Sequence, residues 1–332
     1  MSRSVRIGLS LAISAVFLFF AARGVDWAEA ARSLARVNYW YVVPMIAATV
    51  WTLYIRAQRW RVLLRPVGTP SMRNLVAATN IGFMANMVLP LRMGEVIRPV
   101  MLSRKENEPL GGILATIVLE RVFDLLMVVL LFGVSATLVG VSDTLRQWGY
   151  RLCGIAVIMG GGVAFVRWQE ALALRLLHAV LRPLPTKIAE PVEHFFGGFV
   201  KALEILDSPR TFLEIVSWSL FLWVVIVSVQ ASALLAFDLP VPLLLASIVV
   251  TAITAIAVSA PSAPGYIGAF QLGCTLALAI FSVQKDQAFA FSIVLHLSQF
   301  VAVIGAGLYS LAREGLSLKQ LEEVSQSDAS AA

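Results

Sequence analysis

Eight long apolar runs, separated by shorter polar stretches, dominate the pattern of this chain: residues 7–22, 39–55, 113–139, 152–166, 212–237, 241–259, 264–282 and 288–311. A helix needs about 18–20 apolar residues to cross ~30 Å of hydrocarbon, and these runs reach or approach that length. The ~10-residue strands of alternating polarity that mark a membrane barrel are absent. The pattern predicts an all-α polytopic membrane protein of about eight transmembrane helices. It forms one integral membrane domain over residues 1–312, and the Ser-, Gln-, Asp- and Ala-containing stretch 313–332 reads as a solvated tail. The first run follows Arg3 and Arg6 but lacks a small-x-small cleavage site before a polar mature domain, so it predicts an uncleaved first helix.

Three segments break the pattern. Residues 74–102 are mostly apolar yet contain Asn80, Asn86, Pro90, Arg92, Gly94, Glu95, Arg98 and Pro99. Irregular, charged backbone at membrane depth is tolerated only inside protein or beside water, so this segment predicts a re-entrant hairpin returning at Arg104 and Lys105. Its alternative is a cytoplasmic loop with interfacial charges. Pro261, Pro264, Gly265 and Gly268 interrupt a second apolar stretch that ends at Gln271, and predict a broken membrane helix or a plain kink. The Pro-x-x-x-Gly at 90–94 echoes this break in the other half, a weak sign of an internal repeat. Residues 167–210 are polar. Leu172, Leu176, Leu177, Val180 and Leu181 share one helical face there, which predicts an amphipathic cytoplasmic segment on the membrane surface or a short soluble helical hairpin.

Composition agrees with the pattern. Hydrophobic residues make up 59% and charged residues 14% of the 332, too little charge to cover a soluble core. The net charge of +6 comes from basic residues beside membrane segments rather than from a nucleic-acid surface. With the amino terminus inside and eight spans, 17 Lys/Arg fall on the cytoplasmic side and six outside, leaving Arg92, Arg98 and Arg121 within the membrane. The run Arg56, Arg59, Arg61, Arg65, Arg73, with no acid among them, reads as cytoplasmic. Both termini are therefore expected in the cytoplasm, on an inner-membrane protein.

The chemistry concentrates in the interruptions. Arg92, Glu95 and Arg98 recur every third residue, a polar stripe if helical. Glu120 and Asp124 lie one turn apart with Arg121 beside Asp124 in the i,i+3 sense. An ionised side chain at mid-membrane costs ~2.5–3.5 kcal/mol on insertion scales, so these six residues are expected to pair around a wet cavity; for Glu120 and Arg121 the alternative is a place at the cytoplasmic edge of their long run. No nucleophile elbow, zinc helix or phosphate-cradling loop is present. Cys153 and Cys274 have neither metal nor redox spacing. The expectation is a chain that is no enzyme and binds no cofactor or metal. His296, alone in the last run, reads as a helix-contact residue before a proton relay.

Taken together, Arg59-Trp60, LPLRMGEVIRP at 89–99, LERVFD at 119–124 and PSAPGYIG at 261–268 resemble the flippase-like family of the lysylphosphatidylglycerol synthase transmembrane region. The resemblance covers nearly the whole chain. It implies a polytopic inner-membrane protein with re-entrant helices, whose relatives move aminoacylated phosphatidylglycerol between leaflets. Two departures stand out. Gln271 occupies a place where the family often carries an acid, and no aminoacyl-transfer domain is expected, since the chain ends about 20 residues after its last run.

The resulting expectation is a translocator of a phospholipid or lipid-linked substrate. Arg92, Glu95, Arg98, Glu120, Arg121 and Asp124 would form its headgroup site, and Pro90, Gly94, Pro261, Pro264, Gly265, Gly268 and Gln271 its gating breaks. The alternative is an accessory subunit presenting lipid to a separate synthase or glycosyltransferase. A membrane enzyme using Glu120 or Asp124 as base ranks last. The headgroup, the coupling ion and the oligomeric state are not legible.

Overall fold

Without water to bond to, peptide groups in hydrocarbon must satisfy one another, and the apolar runs accordingly fold as helices. The computed structural model describes residues 3–89, 92–139, 143–183, 185–260 and 262–316, with backbone alone for 3–11, 144, 145, 148, 152, 187, 188, 191 and 194, and no strand occurs among them. The helices are α1 (Arg3–Ala22), α2 (Trp27–Ala35), α3 (Val42–Leu63), α4 (Met72–Val88), α5 (Gly94–Glu106), α6 (Leu110–Leu138), α7 (Asp143–Trp168), α8 (Glu170–Leu181), α9 (Thr186–Leu203), α10 (Pro209–Ala236), α11 (Leu243–Ser259), α12 (Ala269–Ala279) and α13 (Lys285–Arg313). The chain is an all-α polytopic membrane protein.

Length sorts these helices by role. At 1.5 Å per residue, α3, α6, α7, α10 and α13, with 22 to 29 residues each, extend about 33–44 Å, enough to cross. α1 has 20 residues. The 13 residues of α5 and 11 of α12 span only about 20 and 17 Å. Neither crosses alone. Each packs instead against the helix before it, α5 on α4 and α12 on α11, giving two helical hairpins.

The second hairpin corrects the sequence reading, which made residues 264–282 a full span. Gly265, Tyr266 and Gly268 all have positive φ (69°, 60° and 88°), and such left-handed backbone cannot continue a right-handed helix. The turn spends five residues before α12 starts, and too few remain to cross. A Cβ on Gly268 would lie 2.5 Å from the Ser14 carbonyl and 2.9 Å from the Leu18 amide of α1, so glycine also lets the first helix seat against the break. Pro90 and Pro261 lie outside the described residues.

End contacts fix which ends share a face. The α5 end meets the α13 end through Lys105 and Glu314, and Arg65 beyond α3 pairs with Glu214 at the start of α10, 2.6 Å apart. On the opposite face, Asn38 N donates to Ala236 O (2.9 Å), and Lys285 Nζ donates to the α1-end carbonyls of Phe20 (2.9 Å) and Arg23 (2.7 Å). The α4–α5 hairpin therefore enters from the face where α3 and α13 end, and α11–α12 from the face where α10 ends. Their tips meet inside the bundle: a Cβ on Gly265 would lie 3.2 Å from the Met87 carbonyl.

Candidate functional site

The site begins with α3, which runs eight residues past the predicted end of its apolar run. That extension carries Arg56 and Arg59 into the bundle interior, where the basic run on its own gives no sign that they are buried and paired. Arg59 is fully buried. Its Nη1 donates to Asp124 Oδ1 (2.8 Å) and to Ser219 Oγ on α10 (3.2 Å), and its Nη2 lies 3.4 Å from Glu120 Oε1. One planar guanidinium thus ties α3, α6 and α10 together, which a point-charged lysine could not do in the same geometry.

α6 supplies the carboxylates. Glu120 is fully buried inside the bundle. Arg98 of α5 places its Nη1 3.1 Å from both Glu120 oxygens, while its guanidinium lies 3.8 Å over the Trp60 ring, a stacked cation. Trp60 Nε1 in turn donates to Thr116 Oγ1 at 2.9 Å. Arg121 Nη2 lies 3.3 Å from Glu120 Oε1 and its Nη1 3.7 Å from Asp124 Oδ2, the i,i+3 pair expected from sequence. Arg56 completes the set, 3.6 Å from Asp124 Oδ2.

A narrow cleft opens beside these pairs, lined by Gly82, Phe83, Asn86, Gly94, Glu95, Arg98, Ile117 and Arg121. Around it, Arg56, Arg59, Arg98 and Arg121 face Glu95, Glu120 and Asp124, which leaves one positive charge over. Several arginine donors here are buried without a hydrogen-bond partner: Nε and Nη2 of Arg59 behind the cleft, and Arg98 Nε and Nη2 and Arg121 Nε on its lining. Buried donors of this kind are costly unless satisfied, and an entering anion would satisfy them.

Arg92 stands apart. It is not on one stripe with Glu95 and Arg98, because it precedes α5 in a left-handed conformation (φ 54°). Its Nη2 donates to the carbonyls of Val258 and, at 3.2 Å, Ala260, and its guanidinium lies 5.4 Å over the Tyr266 ring. Helix ends leave carbonyls unsatisfied and carry partial negative charge. Arg92 therefore caps α11 across the meeting point of the two hairpins. Gln271 also has a local role: its Oε1 accepts from Gly268 N (2.7 Å), and its Nε2 lies 3.0 Å from His296 Nδ1. His296 stacks on Phe270 with centroids 4.4 Å apart. Gly94 lets α5 cross α4, since a Cβ there would strike the Gly82 carbonyl and lie 2.7 Å from Asn86 Oδ1. Pro264 opens the short turn at Gly265.

The structure thus brings Glu95, Arg98, Glu120, Arg121 and Asp124 together, adds Arg56 and Arg59, and sends Arg92 to the neighbouring helix end. The two added arginines had one sequence signal: Arg56 and Arg59 lie i,i+3 on one face of a helix that continues the apolar run.

These features define a class: polytopic membrane domains with two opposed hairpins and a buried arginine–carboxylate cluster between them. The chain belongs to the family of the lysylphosphatidylglycerol synthase TM region, whose pattern matches residues 7–307. Among curated proteins it is similar to glycosyltransferase AglD of Haloferax volcanii, 26% identical over 321 residues, covering 85% of this chain and 51% of that protein. It is also similar to UPF0104 membrane protein MJ1078 of Methanocaldococcus jannaschii, 30% identical over 102 residues, 29% of this chain and 44% of that one. The chain spans about half the length of the first of these relatives. No solved structure matches it.

The first relative overturns one expectation. A protein similar along 85% of this chain is named a glycosyltransferase, so the reading of this chain as no enzyme does not stand. The nucleophile elbow, zinc helix and phosphate-cradling loop belong to hydrolases, metalloenzymes and nucleotide-binding proteins, and their absence does not bear on glycosyl transfer.

Proposed function

We propose that this membrane domain grips a phospholipid or lipid-linked substrate by its phosphate and translocates it across the cytoplasmic membrane, with both termini in the cytoplasm. One observation carries this reading: Arg98, Arg121 and Glu95 line a cleft beside the ion pairs of Arg56, Arg59, Glu120 and Asp124, with buried N–H donors on Arg98 and Arg121 left unpaired. A phosphodiester brings one negative charge and two free acceptor oxygens, which matches the surplus charge and the fork geometry of arginine. Arg59, Glu120 and Asp124 hold the frame, and Arg98, Arg121 and Glu95 meet the headgroup. The opposed hairpins support movement, since a polar headgroup needs a path through hydrocarbon, and parting their tips would extend the cleft toward the other face.

The test is reconstitution into liposomes with leaflet-specific labelling of phosphatidylglycerol and of a polyprenyl-phosphate sugar. Wild type is expected to move one of these faster than empty vesicles, and Arg121→Gln and Glu95→Gln to slow it at least about tenfold, the equivalent of ~1.4 kcal/mol. Wild type moving neither lipid would sink the translocator reading. The name of the Haloferax relative favours a second reading, in which the same cleft holds a lipid-linked acceptor for glycosyl transfer or presents it to a separate synthase or glycosyltransferase. In that case the lipid binds, Arg121→Gln weakens binding, and nothing crosses.

A further inference from the structure

α8 follows α7 after a single residue, Gln169, and begins where α7 leaves the membrane with Trp168 80% exposed. The sequence grouped five residues on one apolar face of this helix. The structure divides them. Leu181 is buried together with Ala173, and Leu177 is half-buried. Leu172, Leu176 and Val180, spaced i, i+4, i+8, are 43%, 52% and 67% exposed. They form a stripe that no described part of the chain covers, and Trp168 lies one turn before it.

The polar arc lies beside that stripe. Arg175, His178 and Arg182 are exposed, and His178 Nε2 faces Glu193 Oε1 of α9 at 3.6 Å. His178 thus lies toward α9, which itself packs on α6, while Arg175 and Arg182 stay open to the outside. Close packing fixes α9 there: a Cβ on Gly198 would lie 2.7 Å from the Gly112 amide. The helix is held on its buried side and touched at His178, and left open along its apolar stripe and at Arg175 and Arg182.

We propose that α8 is an interfacial helix seated on the cytoplasmic leaflet, with Leu172, Leu176 and Val180 among the acyl chains and Arg175 and Arg182 on anionic phospholipid headgroups. Two features select lipid as the occupant. The stripe continues directly from a membrane-spanning helix through an exposed tryptophan, a residue that favours the membrane–water boundary. Two arginines flank it on the side that would meet headgroups, the arrangement by which amphipathic helices bind anionic surfaces. This placement does not depend on what the buried cleft binds.

The test uses the full chain with Cys153→Ser and Cys274→Ser, carrying one cysteine labelled with an environment-sensitive fluorophore, in nanodiscs of phosphatidylcholine with or without phosphatidylglycerol. Lipids with a shallow spin label serve as quenchers, and iodide reports exposure to water. A label at Leu176→Cys is expected to be quenched by the lipid several-fold more than one at His178→Cys. Its quenching should rise with phosphatidylglycerol, and Arg175→Gln with Arg182→Gln should abolish that rise. A label at Leu220→Cys on α10, exposed to lipid in any correctly inserted protein, confirms the fold in each sample. A Leu176 label quenched by iodide and not by lipid overturns the proposal. So does one shielded from both, which would mean that a protein partner or a second copy covers the stripe.

Discussion

Arg59 is buried without any solvent contact, yet it sits in a chain whose apolar surroundings make charge expensive. It survives there because two carboxylates and a hydroxyl surround its guanidinium. Removing one member of such a set is worse than removing all, since the remaining charges stay buried and unpaired. Arg59→Ala is therefore expected to lower stability by about 3–5 kcal/mol, read as a lowered thermal midpoint in detergent. Arg121 differs: its side chain is 39% exposed, with ion pairs of 3.3 and 3.7 Å. A partly solvated pair of this kind contributes about 0–1 kcal/mol, so Arg121→Gln should leave the thermal midpoint nearly unchanged while it reduces substrate handling. That contrast separates frame from site.

At the scale of elements, each hairpin depends on backbone that only small or unusual residues permit. Gly94 and Gly82 let α5 cross α4, and a methyl group at Gly94 meets backbone that cannot move aside. Gly94→Ala is expected to cost about 1–3 kcal/mol through overpacking, measured by thermal unfolding or by loss of folded yield. Arg92 joins the two hairpins. In Arg92→Ala the half-buried Val258 and Ala260 carbonyls lose their donor, a cost of about 1 kcal/mol. Cysteines placed at Leu89 and Ser262, one on each tip, are then expected to react faster with a small thiol reagent than in the Arg92 protein. At the base of the first hairpin, Glu106 Oε1 accepts from Ser71 N (2.9 Å), Ser71 Oγ (3.0 Å) and Asn74 Nδ2 (2.8 Å). Burial pushes the Glu106 carboxyl up, but these donors outweigh it and hold it below the usual carboxylate range. Its contribution is thus complete above the unfolded carboxyl pKa and is lost as pH falls through the lower folded value. Opening of the 64–72 connection, followed by hydrogen exchange, should rise on acidification in the wild type and be high at all pH values in Glu106→Gln.

Over the whole molecule, the distribution of basic residues predicts the orientation of the bundle, with the face where α3 and α13 end in the cytoplasm. Moving Arg56 and Arg59 into the interior removes two cations from the basic face, yet that face keeps most of the rest. The orientation is tested with an impermeant thiol reagent on intact cells, in a background lacking Cys153 and Cys274. A cysteine at Arg36 is expected to label directly, and one at Ser208 only after permeabilisation. The reverse pattern would invert the protein and move α8 to the outer leaflet. Both hairpins would also exchange faces, and the cleft would first open outward.

How much was legible divides along one physical line. Membrane class, helical secondary structure and the two broken segments follow from local quantities: run length, the burial cost of charge, and the backbone limits of proline and glycine. Glu120, Arg121 and Asp124 were legible for the same reason, because their spacing on one helix already brings them together. Which charges pair across helices was not, because that depends on how far α3 continues and on where α5 crosses α4. Arg56 and Arg59 therefore read as a cytoplasmic edge, and Arg92 as part of a stripe it does not join. The number of full crossings was equally out of reach: residues 264–282 are apolar enough to span, and only the left-handed turn through Gly265, Tyr266 and Gly268 shortens them into half of a hairpin. Local spacing along the chain is enough to bury charge among membrane helices; the partners that make that burial tolerable inside the bundle come only from tertiary packing.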